Sequence, residues 1–498
     1  MLDGLMLDLI PVKAPELMLG IDVGTTAVKV AAFTVQGDLV STHTTDYPTE
    51  RPRPGWAEQD PLDWWRSCVT GVRAVLAGLP AGAVPSVGIV SQVNTHVFVD
   101  EHLRPLAPAI IWQDQRCAGI AREFDARFTT EEKVRIWGGP IALDASFVGA
   151  RAEWFAREQP SLWERTRWVL SPKDFVVAKL TGRVATDQLS GVRVAGAAGY
   201  LPEAVGLVDG LAGKLPPILE PEATLGRTTL PELGSADAVV GTMDAFGAVF
   251  GTRTTEPRRG MVSCGTSLVV AGASNDSEPA QGIVTFPPRK GLFVHAGPTQ
   301  AAGDAVRWWS QVVGLSIEEV FLSAAAGMPG VIFTPYLMGE RAPLWDSEVR
   351  GSFFGLSSAT SQADMSRAVL EGVAMSGRHV LGVVEQACGF PLPSMTFSGG
   401  GARSDLWTQI HADVLQRPVE RLRVHDSAAL GAALLGAVGA GIYPDVETAA
   451  AATVAVDRVF TPSPDADRLE PLYEAYRTSY AALRDLHTRL ASWRTVSA

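Results

Sequence analysis

The apolar positions of this chain fall into short strand-like blocks and longer helical stripes, and the first block sets the plan. Met18 to Val23 and Val28 to Phe33 read as two strands rich in Val, Ile, Ala and Phe, with Gly24, Thr25 and Thr26 as a tight turn between them. An amphipathic helix follows from about Pro61, with Asp60 as its N-cap. Val87 to Ser91 and His96 to Asp100 read as strands broken by a polar tip of Gln92, Asn94 and Thr95. A further apolar strand starting at Ile110 runs into Gln113, Asp114 and Arg116. The stretch GARAEWFAREQP and the stretch from Ser171 to Gly182, capped by Ser171 with Pro172 in its first turn, carry helical periods. Residues Pro202 to Gly234 have no strong period and read as irregular cover. Ala238 to Gly241 is a short buried strand with Asp244 just beyond it and a small-residue helix from Ala245.

Then the opening pattern recurs. Gly260 to Ser274 is again strand, turn and strand, with Gly265, Thr266 and Ser267 in the places of Gly24, Thr25 and Thr26. A repeated hairpin of this kind predicts two domains of one plan facing each other. Beyond it come a helix holding Gly303 and Arg307 one turn apart, a loop with Glu340 and Arg341, and a strand leading into a long helix from Ser361 or Asp364 to about Ala387. A strand ending in Gly399, Gly400 and Gly401 precedes another helix, a small-residue helix built to pack closely follows His425, and one amphipathic helix closes the chain.

Certain of these polar positions suit particular chemistry. A turn of one glycine and two hydroxyls can aim N–H groups and Oγ atoms at a phosphate oxygen. Asp22 faces the first turn and would repel phosphate unless a divalent cation lay between, which makes it a candidate Mg²⁺ partner through water. An ordinary hairpin with a polar tip is the plain alternative. Asp244, between strand end and helix, is placed as a general base is, although by itself the segment reads first as an N-cap. The tips at Gln92–Thr95 and Gln113–Arg116 offer amides, a carboxylate and a guanidinium, donors and acceptors suited to a polyhydroxy ligand. The glycines around Gly400 would let a flat ring or a phosphate lie against backbone.

The chain has 498 residues, 46% of them apolar, enough for two to four domains with buried cores. A net charge of −12 without any basic run speaks against nucleic acid or an anionic membrane as partner and for small-molecule chemistry. The four cysteines stand far apart without a CxxC pair, which fits a reducing cytoplasm. Residues 1–17 lack a basic start and a long apolar core, so they read as a loosely ordered extension and not as a signal peptide. No run approaches the roughly 20 apolar residues that cross a bilayer.

With these pieces in order, the sequence resembles the FGGY family of carbohydrate kinases, most of all its xylulokinase branch, from about Met18 to Val496. The stretches that carry the resemblance include GIDVGTTAVK, PGWAEQDP, IIWQDQR, SPKDFVVAKLTG, VVGTMDAFG, CGTS, PYLMGERAPL and SGGGARSDLW. The resemblance implies an α/β fold of two actin/hexokinase-like (ribonuclease H-like) domains around a central cleft. Residues 18–243 would form the sugar-side domain with the first phosphate turn, and 244–498 the second, with the adenosine site. It further implies ATP and Mg²⁺ as cofactors and Asp244 as the catalytic base. Sugar contacts would come from Gln92, Asn94, Thr95, His96, Asp114, Arg116 and Asp244. Nucleotide contacts would come from Gly24, Thr25, Thr26, Lys29, Gly265, Thr266, Ser267, Gly303, Arg307, Gly400, Gly401 and Asp405, with the metal near Asp22 and Asp244. A homodimer stays open.

One departure is informative. Xylulokinases carry Gln-Met-His in the first sugar tip, and this chain has Gln92-Val93-Asn94 with His96 two places on. That supports a sugar or polyol kinase more than it supports D-xylulose itself. Ribulose, erythritol or glycerol are the alternatives, although the Arg-Glu pair of glycerol kinases is missing. A nucleotide-driven chaperone or filament protein, or a non-catalytic sugar sensor, is the alternative of another class; the polar tips speak against the first and the lack of a DNA-binding segment against the second.

Overall fold

A computed structural model describes residues 16–80, 82–278 and 280–496. Of residues 1–17, read as an extension, 1–15 lie outside this range, and Leu17 already belongs to the first strand. That strand, β1 (Leu17–Val23), pairs antiparallel with β2 (Ala27–Thr34), which pairs with β3 (Leu39–Asp46). Helix α1 (Pro61–Leu76) is capped by the Asp60 carboxylate. It leads to β4 (Ser86–Ser91), parallel to β1. Helix α2 (Val148–Glu158) and helix α3 (Pro172–Thr181), the latter with a capping box on Ser171, complete this half.

Two short strands refine the sequence reading. Thr224–Arg227 (β5) lies in the stretch read as irregular cover, yet it pairs antiparallel with β6 (Asp237–Val239) and forms the sheet edge. Four residues with a bulge between Thr224 and Gly226 are too few to show a period. The strand expected from Ile110 to Arg116 is only Ala109–Ile110, followed by turns. The sheet order is β5-β6-β4-β1-β2-β3, and β7 (Thr242–Met243) extends along the end of β4.

Helix α4 (Asp244–Gly251) starts on Asp244 itself, with Met243 in the N-cap place. The second sheet then repeats the first. Strands β8 (Gly260–Cys264) and β9 (Leu268–Ser274) form the second hairpin, and β10 (Val284–Arg289) and β11 (Leu292–Pro298) continue it antiparallel. Helices α5 (Gly303–Val313) and α6 (Gln362–Cys388) follow. Strand β12 (Met395–Ser398), helix α7 (Asp405–Leu415), strand β13 (Val419–Leu422), helix α8 (Ser427–Gly439), strand β14 (Val456–Phe460) and helix α9 (Glu470–Val496) end the chain. In each sheet a hairpin strand has a parallel neighbour, β4 beside β1 and β12 beside β8. A second parallel strand and an antiparallel edge strand lie beyond it in both.

The two halves meet through α4 and α8. A Cβ on Gly88 would stand 1.7 Å from the Ala432 carbonyl oxygen, and one on Gly20 would stand 1.9 Å from that of Ala429, so β1 and β4 touch α8 backbone to backbone. On its other side, a Cβ on Gly251 would stand 1.9 Å from the Ser427 carbonyl oxygen. The small residues of α8 are thus explained by packing.

Candidate active site

The first turn is held open by its neighbours. Its Gly24 N–H bonds the Ala27 carbonyl at 3.0 Å, the Tyr47 hydroxyl donates to the Gly24 carbonyl, the Gln59 amide to that of Thr25 at 2.7 Å, and the Tyr47 N–H to that of Thr26 at 3.1 Å. All three carbonyls are therefore engaged by the protein, while the N–H groups of Thr25 and Thr26 have no partner among the described residues. Such a pair of free N–H groups makes an anion-binding concavity. The second turn has the same construction. Gly265 N–H bonds the Ser267 carbonyl at 2.9 Å; the Gly265 and Thr266 carbonyls accept from Gly303, Ala302 and Asp304 at the start of α5, and the N–H groups of Thr266 and Ser267 are free among the described residues. A Cβ on Gly303 would lie 2.7 Å from the Gly265 carbonyl oxygen, which explains that glycine. Arg307, one turn on, pairs with Asp304.

The triple glycine packs against this second turn. Gly399 has φ 85° and Gly401 is buried, and a Cβ on either would fall within 2.6 Å of Cys264, the residue before the turn. Gly400 has open space on its free side. Asp405 is ion-paired with Arg421 and Arg458. Gly399 N–H also bonds the His425 carbonyl at 2.7 Å, next to Asp426, whose carboxylate pairs with Lys29 on β2. Asp426 occupies the N-cap place of α8 without capping it, so its carboxylate is free for this contact.

Asp22 and Asp244 lie within electrostatic reach of each other. In β1 Asp22 is opposite Lys29, and its Oδ1 is closed to solvent without a hydrogen-bond partner. Burial pushes its pKa up to about 7, the nearby Asp244 carboxylate adds to this, Lys29 opposes it, and Asp426 adds again. Asp244 is pushed up to about 6, mainly by burial, tempered by the Ala245 N–H that bonds its Oδ1 at 2.8 Å and by the charge of Arg341. An unpartnered carboxylate oxygen among acids is the setting a divalent cation completes. Among the described residues no three His, Cys, Asp or Glu side chains form a metal cage.

The polar tips form a further wall. Gln92 and Thr95 are buried and bonded within the protein, Gln92 to the Gln59 side chain at 2.9 Å and Thr95 to Gln92 at 3.2 Å. Asn94 has φ 53°, a left-handed conformation that asparagine tolerates, and its half-exposed amide makes no hydrogen bond among the described residues. Beside it, His96 Nδ1 stands 3.0 Å from a nitrogen of Arg151, which can only donate, so that ring nitrogen accepts. Burial first and the Arg151 charge second hold His96 well below its ordinary pKa and hence neutral. Asp114 is closed to solvent and bound by the Ala57 N–H at 2.6 Å and by Arg116, which also pairs with Glu58 at 2.8 Å and lies 3.5 Å from the Trp56 ring. These two polar groups are satisfied by each other and by the protein.

Three residues without an assigned role in the sequence reading complete the site. Arg151 on α2 is fully buried and donates to the carbonyls of Asn94, Ile110 and Ile111, tying the two tips together. Trp112 donates through Nε1 to the Thr25 hydroxyl at 3.0 Å. Arg341 reaches from the other domain to 4.8 Å from the Trp112 ring, near Asp244. Trp112 and Arg341 stand in the stretches IIWQDQR and PYLMGERAPL and Arg151 in GARAEWFAREQP, but the partners that give them a role lie far along the chain.

The sequence matches the N-terminal domain of the FGGY family of carbohydrate kinases over residues 17–195 and the C-terminal domain of that family over residues 260–440. A xylulose kinase of Staphylococcus epidermidis is 30% identical over 493 residues, covering 94% of this chain and 96% of that protein. A glycerol kinase of Bordetella parapertussis is 29% identical, covering 93% and 96%. The crystal structure of a xylulose kinase from Brucella ovis superposes with a TM-score of 0.83 at 29% identity, covering 95% of this chain and all of that one.

Proposed function

The chain belongs to the FGGY family of carbohydrate kinases, and we propose that within it the enzyme phosphorylates an open-chain pentulose or a related polyol, with Asp244 as the base. The two sheets are the paired actin/hexokinase-like domains of that family, and the activity is ATP-dependent transfer of phosphate to a carbohydrate hydroxyl. The observation that carries the site reading is the matched pair of turns, each with engaged carbonyls and, among the described residues, two free N–H groups, with Asp22 just before the first turn and within electrostatic reach of Asp244.

In this reading the turn N–H groups and the hydroxyls of Thr26, Thr266 and Ser267 hold phosphate oxygens and stabilise charge as it spreads during transfer. Lys29, fixed by Asp426, adds a positive charge on the same side. Asp244 accepts the proton of the attacking hydroxyl, and Asn94 and the Nε2 of His96, which has no hydrogen-bond partner among the described residues, meet the remaining hydroxyls. Asp114, Arg116 and Arg151 support this wall from behind. Asp22 would hold Mg²⁺, which supplies neutralising charge to the phosphates when bound. Closure of the domains would exclude water, a competing acceptor. The four cysteines are buried and unpaired, which supports a reducing compartment such as the cytoplasm. Among the described residues no helix is long and apolar enough to cross a membrane.

A coupled assay of ADP release across D-xylulose, D-ribulose, erythritol and glycerol tests the substrate class. Sugar-dependent turnover fastest with a pentulose is expected; ADP release that no acceptor stimulates contradicts it. The pH profile is a second expected result. A base must be ionised, so at saturating Mg²⁺, which keeps Asp22 ionised, kcat/KM should fall as pH drops through about 6, the value to which burial lifts Asp244, and level off above it. A profile flat from pH 5 to 8 removes Asp244 from the role.

Asn94 carries the expectation about preference. Replacement by histidine keeps a side chain that tolerates the left-handed backbone, so the fold should survive. Asn94→His is expected to raise kcat/KM for D-xylulose relative to the other acceptors about tenfold, the scale on which one changed polar contact alters discrimination. An unchanged order of acceptors, or a wild type strongly selective for D-xylulose, contradicts it.

A further inference from the structure

Behind the segment that carries Asp244 lies a buried ionic cluster that the mechanism does not use. Lys173 on α3 is fully buried, and its ammonium pairs with Asp174 and, at 3.0 Å, with Asp187. Burial opposes its charge, but the two carboxylates outweigh burial and raise its pKa, so Lys173 is charged. Asp187 is also fully buried. Its Oδ2 accepts from the N–H groups of Leu189 and Ser190 at 3.1 and 3.2 Å and from the Thr242 hydroxyl at 2.7 Å. The Lys173 N–H bonds the Ser91 hydroxyl at the end of β4, and the Tyr200 hydroxyl nearby is turned to the Pro216 carbonyl.

Thr242 is the point at which this cluster reaches the active site. It is closed to solvent, two residues before Asp244, in a strand of only two residues. Just before it Gly241 takes φ 76°, where a Cβ would stand 1.9 Å from the Ile89 carbonyl oxygen, so the chain bends sharply there. Before the bend the Lys173 ammonium reaches the Val240 carbonyl at 3.5 Å; after it, the Thr242 hydroxyl is the one side-chain hydrogen bond to the cluster among the described residues. A buried ion group is weak as a source of stability, because desolvation offsets its attraction. Its place suggests another use.

We propose that Thr242, backed by Asp187 and Lys173, is a positioning residue that sets where the Asp244 carboxylate meets the acceptor hydroxyl. The proposal rests on Asp244 being the base. A displacement of about 1 Å at a reacting group can cost about a hundredfold in rate, so a single hydroxyl at this bend is enough to matter.

A double-mutant cycle tests it on the full-length chain, with ATP and whichever of D-xylulose and D-ribulose the wild type turns over faster. Thr242→Val keeps the shape and removes the hydroxyl, and Thr242→Ser keeps the hydroxyl. Thr242→Val should lower kcat ten- to a hundredfold with KM for ATP within twofold of wild type, and Thr242→Ser should restore kcat to within threefold. In the Asp244→Asn background Thr242→Val should cost nothing further. Unchanged kcat in Thr242→Val, no recovery in Thr242→Ser, or a full additional loss in the Asp244→Asn background overturns the proposal. Thr242→Ala is measured alongside; if both apolar variants lose their circular dichroism signal while Thr242→Ser folds, the cluster serves stability and the proposal fails. A fully active Asp244→Asn single variant instead overturns the reading of the base, so the two failures are distinct.

Discussion

Asp244→Asn is expected to bind ATP as the wild type does and to turn over about two to four orders of magnitude more slowly, the range for a lost general base. Asparagine has the same shape, and its side-chain oxygen can keep the 2.8 Å bond from the Ala245 N–H, so α4 should start as before. What is lost is proton affinity. The wild-type carboxylate is lifted to about 6 by burial, high enough to take a proton near neutral pH, whereas an amide cannot. Calorimetric titration of ATP together with the rate of sugar-dependent ADP release separates the two effects. An Asn variant with wild-type turnover, or one that no longer binds ATP, contradicts the assignment.

Asp22→Asn should cost turnover about two to three orders of magnitude, comparable to removing one preorganised electrostatic group from an active site. Its effect on stability should run the other way. The Asp22 carboxylate has an unpartnered, solvent-closed oxygen near the like charges of Asp244 and Asp426, and only Lys29 opposes them. A neutral amide relieves that repulsion, so the melting temperature should stay level or rise while activity collapses, as at sites where function is held against stability. Turnover as a function of Mg²⁺ concentration supplies the specific readout. A shift to higher Mg²⁺ is expected, and an unchanged Mg²⁺ dependence with full activity would remove Asp22 from the cation site.

The parts of the site visible in the sequence are those built from neighbouring residues. The two hairpins were legible because strand composition and a glycine-hydroxyl turn are local signals, and their antiparallel pairing around Gly24 and Gly265 follows. Helix starts at Asp60 and Ser171 were legible for the same reason, each capping its helix with its own side chain; of the two starts read for the long helix, Ser361 and Asp364, Ser361 is the cap. The contacts that join the halves were not. Lys29 and Asp426 are 397 residues apart, and Arg151 reaches Asn94 over 57, so no window of sequence contains either pair. Local reading also cannot say which way a polar side chain faces. Asn94 and Asp114 both sit in polar tips, yet the amide of one is free and the carboxylate of the other is closed off and bound by Arg116 and Ala57. That difference comes from packing: Trp56 and Glu58 hold Arg116 against Asp114, and among the described residues no such contact holds the Asn94 amide.

The most direct measurement is phosphorus NMR of the complete reaction, with ATP, Mg²⁺ and D-ribulose or D-xylulose, for the wild type and for Asp244→Asn. The wild type should convert the γ-phosphate signal of ATP into a sugar phosphate ester in step with ADP, and the variant should leave ATP intact over the same time. Ester formed by Asp244→Asn at the wild-type rate, or inorganic phosphate appearing in place of any ester with the wild type, would contradict the account.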